Sequence, residues 1–242
     1  MSISQLAITN DIETTKVDTL GGEYIKPTGL IHCIVDMAYL SKSSTGAMSL
    51  NLHLRNAEDK SITRHTLWIT SGDKKGNKNY YINKNGKKFL LPDMVKADQI
   101  SKITAGKPMS ELTAENKTIK LWDFNASAEK PTEVPALPEM IGQPLMVGLI
   151  KCRDNKRVND GSGNYVPTRD ERFSNEIDKV FHPNRFTVTE KEAGAEEAKF
   201  ANQWEEKYDS EYVRDNYDPN VEDPTDDSLP EPEVAKTAEL FS

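Results

Sequence analysis

A chain of 242 residues with 36% hydrophobic side chains, 29% charged side chains and a mean hydropathy of −0.68 can bury one ordinary core but is too polar to lie wholly inside it. No run approaches the roughly 20 apolar residues that span a bilayer, and Met1 to Asn10 lack the regions of a signal peptide, so a soluble, intracellular protein is expected. A net charge of −8, if evenly spread, would disfavour nucleic acid, because phosphate contacts supply most non-specific affinity.

The first 20 residues read as a flexible arm, and Gly21-Gly22 opens the ordered body. Leu30 to Tyr39 reads as a strand with Ile31, Cys33, Val35, Met37 and Tyr39 on one face. After a turn at Ser43 to Gly46, Met48, Leu50, Leu52 and Leu54 alternate with Ser49, Asn51, His53 and Arg55, the pattern of a half-exposed antiparallel strand. Ser61 to Thr70 should be the third strand of this meander, with His65, Leu67 and Ile69 on one face and Arg64, Thr66, Trp68 and Thr70 on the other.

Ser71 to Lys88 carries three glycines, four asparagines and six lysines around Tyr80-Tyr81, and a hairpin tip is expected near Asn85-Gly86. Asp93 is the expected cap of a helix to about Ala105, with Met94, Ala97, Ile100, Ile103 and Thr104 inward and Gly106 as the stop. Strands resume at Thr118 to Phe124 and Leu145 to Cys152. The Asn159 to Gly163 turn with Glu176 to Phe181 suggests a long-armed hairpin. Thr189 and Glu192 have capping-box spacing, and Phe200, Trp204 and Tyr208 recur every fourth residue, so a helix is expected from about Glu190 to Tyr208. From Asp209 the chain is too acidic and proline-rich to offset its own entropy, and disorder is expected.

These elements fit a mainly β architecture: an OB-fold-like five-stranded barrel over residues 21–187 with an inserted helix, a C-terminal helix over 188–208 and a disordered acidic tail over 209–242. Other small barrels fit nearly as well. Cys33 and Cys152 lack CxxC partners or histidines at zinc spacing, which favours two buried thiols over a disulfide or zinc site. No metal and no cofactor is expected.

The charge is segregated. Asp209 to Ser242 holds eleven acids and two bases, whereas Arg55 to Lys107 holds twelve bases and five acids. A locally basic body with a flexible polyanion can bind nucleic acid, bind partners through the tail, or set the two in competition.

Trp68 beside Arg64, with Asn51, His53 and Arg55 on the neighbouring strand, has the layout of a base-stacking platform; the alternative is that it packs under the lysine-rich loop or the C-terminal helix. Lys74, Lys75, Lys78, Lys84, Lys87 and Lys88 interleaved with Tyr80 and Tyr81 combine phosphate-tracking cations with stacking rings, the alternative being a solvated hairpin. Lys151, Arg153, Lys156, Arg157, Arg169 and Arg172 form a weaker group diluted by acids, of which Lys151 and Arg153 are counted with the candidate DNA contacts. The Phe200, Trp204, Tyr208 stripe reads as a packing face. No Walker loop, GxGxxG, HExxH or nucleophile elbow occurs, and the four histidines are isolated, so a non-enzymatic protein is expected.

Gly21-Gly22, Gly29, Tyr39-Leu40-Ser41-Lys42…Gly46-Ala47, Leu67…Thr70, Asn79-Tyr80-Tyr81 with Lys84…Gly86-Lys87-Lys88…Leu91-Pro92, Ile141-Gly142-Gln143…Val147 and Arg169-Asp170-Glu171…Asn175 to Lys179 together resemble the single-stranded DNA-binding proteins of podovirus-type bacteriophages. The resemblance runs from about Leu20 to His182. It implies an oligonucleotide-binding barrel that coats single strands in phage replication and recombination, in the cytoplasm of the infected bacterial host. It also implies a tail that contacts replication partners such as a polymerase, helicase or recombinase, here through Asp223, Asp226, Asp227, Glu231, Glu233, Glu239 and Phe241. Such tails commonly end on an aromatic residue, whereas Phe241 is penultimate. Two other classes stay open: a phage nuclease or annealing enzyme, and a protein-protein interaction module.

Overall fold

A computed structural model describes residues 25–123, 126–160 and 165–221. The molecule is mainly β. Its main sheet contains β1 (Gly29–Lys42), β2 (Met48–Asn56), β3 (Ile62–Trp68), β6 (Glu115–Asp123), β7 (Ala128–Ala136), β8 (Pro144–Asn159), β9 (Tyr165–Phe181) and β10 (Val213–Asp215). A separate hairpin pairs β4 (Tyr80–Ile82) with β5 (Lys88–Leu90), and three helices complete the fold: α1 (Pro92–Ala105), α2 (Val188–Glu192) and α3 (Lys199–Lys207).

The β1-β2-β3 meander forms as its alternation predicts. Leu50, Leu52 and Leu54 are fully buried, and β3 turns His65 and Leu67 inward while Arg64, Thr66 and Trp68 face out. On β1 the single expected face is divided. The β1–β2 register shifts between Val35 and Met37, leaving Asp36 as an extra residue. Such a bulge swaps which side each later side chain takes. Cys33, Val35 and Ala38 therefore enter the main core, whereas Met37 and Tyr39 join a small cluster with Val134 and Ala136 on the opposite face. The Arg55 guanidinium donates to the Asp36 carboxylate at 2.8 Å, holding the bulged residue at the sheet surface.

β8 is buried on both faces. Leu145, Val147 and Leu149 pack into the main core with Ala97 and Ile100 of α1, while Met146, Ile150 and Cys152 pack with Ala201 and Trp204 of α3. The Trp204 ring lies so close to Gly148 that an added Cβ would sit 2.9 Å from it, which explains a glycine in mid-strand. Cys33 and Cys152 are free and buried, and burial pushes their thiols up to about 12 and about 11.

The expected five-stranded barrel is not closed. Among the described residues β3 pairs only with β2, so the sheet is open, and β3 and β9 face each other beside α1 across a gap of about 220 Å³. Three local expectations also change. Asp93 does not cap α1: Leu91 is the N-cap and Pro92 takes the first helical position, where its missing N–H costs nothing. The Asp93 carboxylate instead accepts the Trp68 backbone N–H at 3.1 Å and pairs with Lys96, tying the end of β3 to the helix.

The single C-terminal helix is two helices. The capping box is Thr187 with Glu190, two residues earlier than expected, and the chain turns at Gly194 with φ +66°. The acidic segment remains ordered beyond Asp209. β10 pairs in parallel with β8, and Arg214 bonds Glu176 and Asp178, so local packing outweighs the polar composition as far as Val221. The expected tail contacts from Asp223 to Phe241, the flexible arm over residues 1–20 and the turn residues 161–164 lie outside the described residues.

Candidate nucleic-acid interface

Trp68 is 45% exposed and has no aromatic ring at stacking distance among the described residues. Its neighbours on the outer face are set by register: Ser49 opposite Trp68, Asn51 opposite Thr66 and His53 opposite Arg64. The floor is pinned by hydrogen bonds. Asn51 donates to Ser41 at 2.9 Å and accepts from Thr66 at 3.0 Å, so its amide is held in place.

Arg64 is the cation of this face and forms no ion pair among the described residues. Burial, and then the nearby guanidinium of Arg64, push His53 below its usual range, so it is neutral at pH 7 and adds no charge here.

The β6–β7 hairpin stands beside this face. It joins the main sheet through one residue pair, Tyr39 with Ala136, and it packs around Tyr39 and Met37 through Val134 and Ala136 at its root and Ile119 and Leu121 further along β6. β7 escaped the sequence reading because Pro131 and Pro135 read against a strand. They are four residues apart, so their missing N–H groups fall on the same edge, which is unpaired there. Between arm and floor runs a groove of about 520 Å³, with Tyr39, His53, Arg64 and Thr66 on one side and Lys120 and Trp122 on the other. Trp122 was also missed; it is 55% exposed, and only the tertiary approach of the arm gives it a site.

The lysine-rich segment forms the expected hairpin. Asn83 accepts the backbone N–H groups of Asn85 and Lys87, and Gly86 supplies the left-handed residue with φ +76°. Lys78 and Lys88 lie 5.7 and 5.0 Å from the Tyr80 ring centroid, and Tyr81 stacks on Phe89 at 5.8 Å. Tyr81, Ile82, Phe89 and Leu90 are all exposed, which is unusual for so apolar a cluster. None of Lys74, Lys75, Lys78, Lys84, Lys87 and Lys88 forms an ion pair among the described residues.

Lys151 and Arg153 are elsewhere. They sit on β8 where it pairs with β10 on one side and with Asn175 and Phe173 of β9 on the other. Arg153 bonds Glu171 at 2.7 Å and Asp215 at 3.2 Å and lies 4.5 Å over the Tyr217 ring, while Lys151 lies 4.8 Å over Phe173. The structure thus does not bring these two to the Trp68 face, and Arg153 is already neutralised.

A larger cavity of about 660 Å³ lies between α1, β9 and the C-terminal helices. Some of its polar groups are committed: Lys96 to Asp93, Glu190 to the Thr187 cap, and Asp178 to Trp204 and Arg214. Among the described residues no cluster of three His, Cys, Asp or Glu side chains could hold a metal ion, and no helix is long and apolar enough to cross a membrane. No protein-family model and no curated protein matches this chain.

Proposed function

We propose that the protein binds single-stranded DNA without sequence preference and does no chemistry on it. The observation that carries this reading is the placement of unpaired cations beside exposed rings. Acids outnumber bases 39 to 31 in this chain, and several cations, Arg153, Arg185 and Arg214 among them, are paired with carboxylates. Arg64 and the hairpin lysines are not; Arg64 shares the outer face of β3 with the exposed Trp68, and Lys78 and Lys88 flank the half-buried Tyr80 next to the exposed Tyr81. Unpaired cations track phosphates, and exposed rings stack on bases of any identity.

The element order, a three-stranded meander, a helix and two long strands, supports an OB-fold-like reading, since such barrels are partly open and bind oligonucleotides on the face of their second and third strands. The phage setting, with coating and protection of single strands in replication and recombination and a tail that contacts replication proteins, rests on the family resemblance. In the absence of DNA, the acidic residues beyond Val221 compete weakly for these cations.

Titration of fluorescein-labelled oligo-dT at two salt concentrations tests the reading. Binding should weaken steeply with salt and exceed binding to duplex, and Trp68→Ala should cost about 1 to 3 kcal/mol, as for one stacked base. Absence of binding at low salt would sink the proposal.

A further inference from the structure

The β6–β7 arm is an element that the Trp68 platform does not explain. A hairpin that serves only to cover a sheet face packs its length against that face. Here Val134 and Ala136 at the root and Ile119 and Leu121 along β6 pack around Tyr39 and Met37, yet a groove remains beside them, with the arm as its second wall and Lys120 and Trp122 still exposed. The Asp36 bulge makes this possible: by turning Met37 and Tyr39 to the outer face, it supplies the apolar seat on which Val134 and Ala136 rest.

The two walls carry complementary chemistry. Lys120, like Arg64 across from it, forms no ion pair among the described residues. Trp122 is on the same wall and has no aromatic neighbour at stacking distance among the described residues. Glu129, opposite Trp122 in the β6–β7 register, is the one acid lining the groove, so the lining keeps one positive charge with His53 neutral. The volume lies in the range of sites that enclose small ligands.

We propose that this groove is a second nucleotide-binding site: an unpaired nucleotide segment lies between arm and floor, its base stacked on Trp122 and its phosphates held between Lys120 and Arg64. The inference rests on the single-strand reading and extends it to an element that reading did not use. Stacking on Trp122 requires a base whose face is free, so the arm also selects unpaired over duplex strands. Tyr39 ties the floor to the root of the arm and is a positioning residue.

The test compares the full chain with Trp122→Ala, Trp122→Phe, Lys120→Ala and Trp68→Ala, using anisotropy of labelled oligo-dT over a salt series and thermal unfolding of each variant. Trp122→Ala should weaken binding about ten- to hundredfold, and Trp122→Phe should recover most of the loss. Lys120→Ala should lower the slope of log affinity against log salt by about 0.7, the share of one single-strand phosphate, which a merely structural role would not move. If Trp122→Ala and Lys120→Ala bind as the parent does while Trp68→Ala is weakened, the arm site is overturned and the platform stands. If the parent itself fails to bind oligo-dT at low salt, both fall. An unfolding midpoint lowered by Trp122→Ala, without rescue of binding by Trp122→Phe and with the salt slope of Lys120→Ala unchanged, also overturns the site.

Discussion

His65 points inward from β3, and its ring nitrogen Nε2 lies 3.1 Å from the Thr63 hydroxyl. Burial, and secondarily the positive charge of Lys96, lower its pKa from 6.5 to about 4. The unfolded chain binds a proton near pH 6.5 that the folded protein refuses until about pH 4. The stability from keeping this ring neutral is therefore intact above pH 6.5 and lost as the pH falls through that window. The loss by pH 4 should be about 3 kcal/mol, and His65→Gln should remove most of it. Urea unfolding at pH 7 and pH 4 checks this; an equal pH dependence in the variant would refute it. His53 and His182 are lowered in the same direction and leave a smaller residual slope.

At the scale of elements, the β4–β5 hairpin and the β6–β7 arm are the parts of the molecule least involved in the core. The hairpin forms its own two-stranded sheet, and its exposed Tyr81, Phe89, Ile82 and Leu90 would be a liability on a surface without a partner. Its lysines are separable from folding because they make no ion pair among the described residues. Replacing Lys84, Lys87 and Lys88 together by glutamine should leave the unfolding midpoint within about 2 °C, since surface changes of this kind stay near ±0.5 kcal/mol. The same change should flatten the salt dependence of oligo-dT binding by about 1 to 2 units of slope. An unaltered slope would remove the hairpin from the DNA path.

For the whole molecule, the boundary between fold and acidic tail falls later than composition indicates. Thr28 donates to the Tyr212 carbonyl at 2.6 Å, Tyr217 donates to the Arg169 carbonyl at 2.7 Å, and the backbone N–H of Asn216 donates to the Arg153 carbonyl at 2.8 Å. Residues 209–221 thus belong to the folded body, and two truncations separate their roles. Ending the chain after Val221 should leave stability unchanged and tighten oligo-dT binding, most at low salt, by removing the competing polyanion. Ending it after Tyr208 should also lower the unfolding midpoint, because Arg214 and Tyr212 leave Asp178 and the Trp204–Tyr208 cluster behind. Equal midpoints for the two truncations would show that β10 contributes nothing, and unchanged affinity across salt would end the competition idea.

The sequence by itself determined the elements whose periodicity is strict. The leucines of β2, the inward and outward faces of β3, the Asn83 to Lys87 turn and the end of α1 at Gly106 follow from side-chain alternation and backbone freedom at glycine, which are local properties. Alternation placed Trp68 on the outward face of β3, but its exposure was left open in the sequence and was decided by the fold. Tertiary structure decided what depends on meeting a distant segment: the bulge at Asp36 that turns Tyr39 outward, the arm that β7 builds despite two prolines, the docking of β10, and the open gap between β3 and β9. Arg153 and Arg64 look alike in sequence, yet one is neutralised by Glu171 and Asp215 and the other is left unpaired. Charge pairing across the fold is a long-range property, and it separates the cations free to meet a phosphate from those that are not.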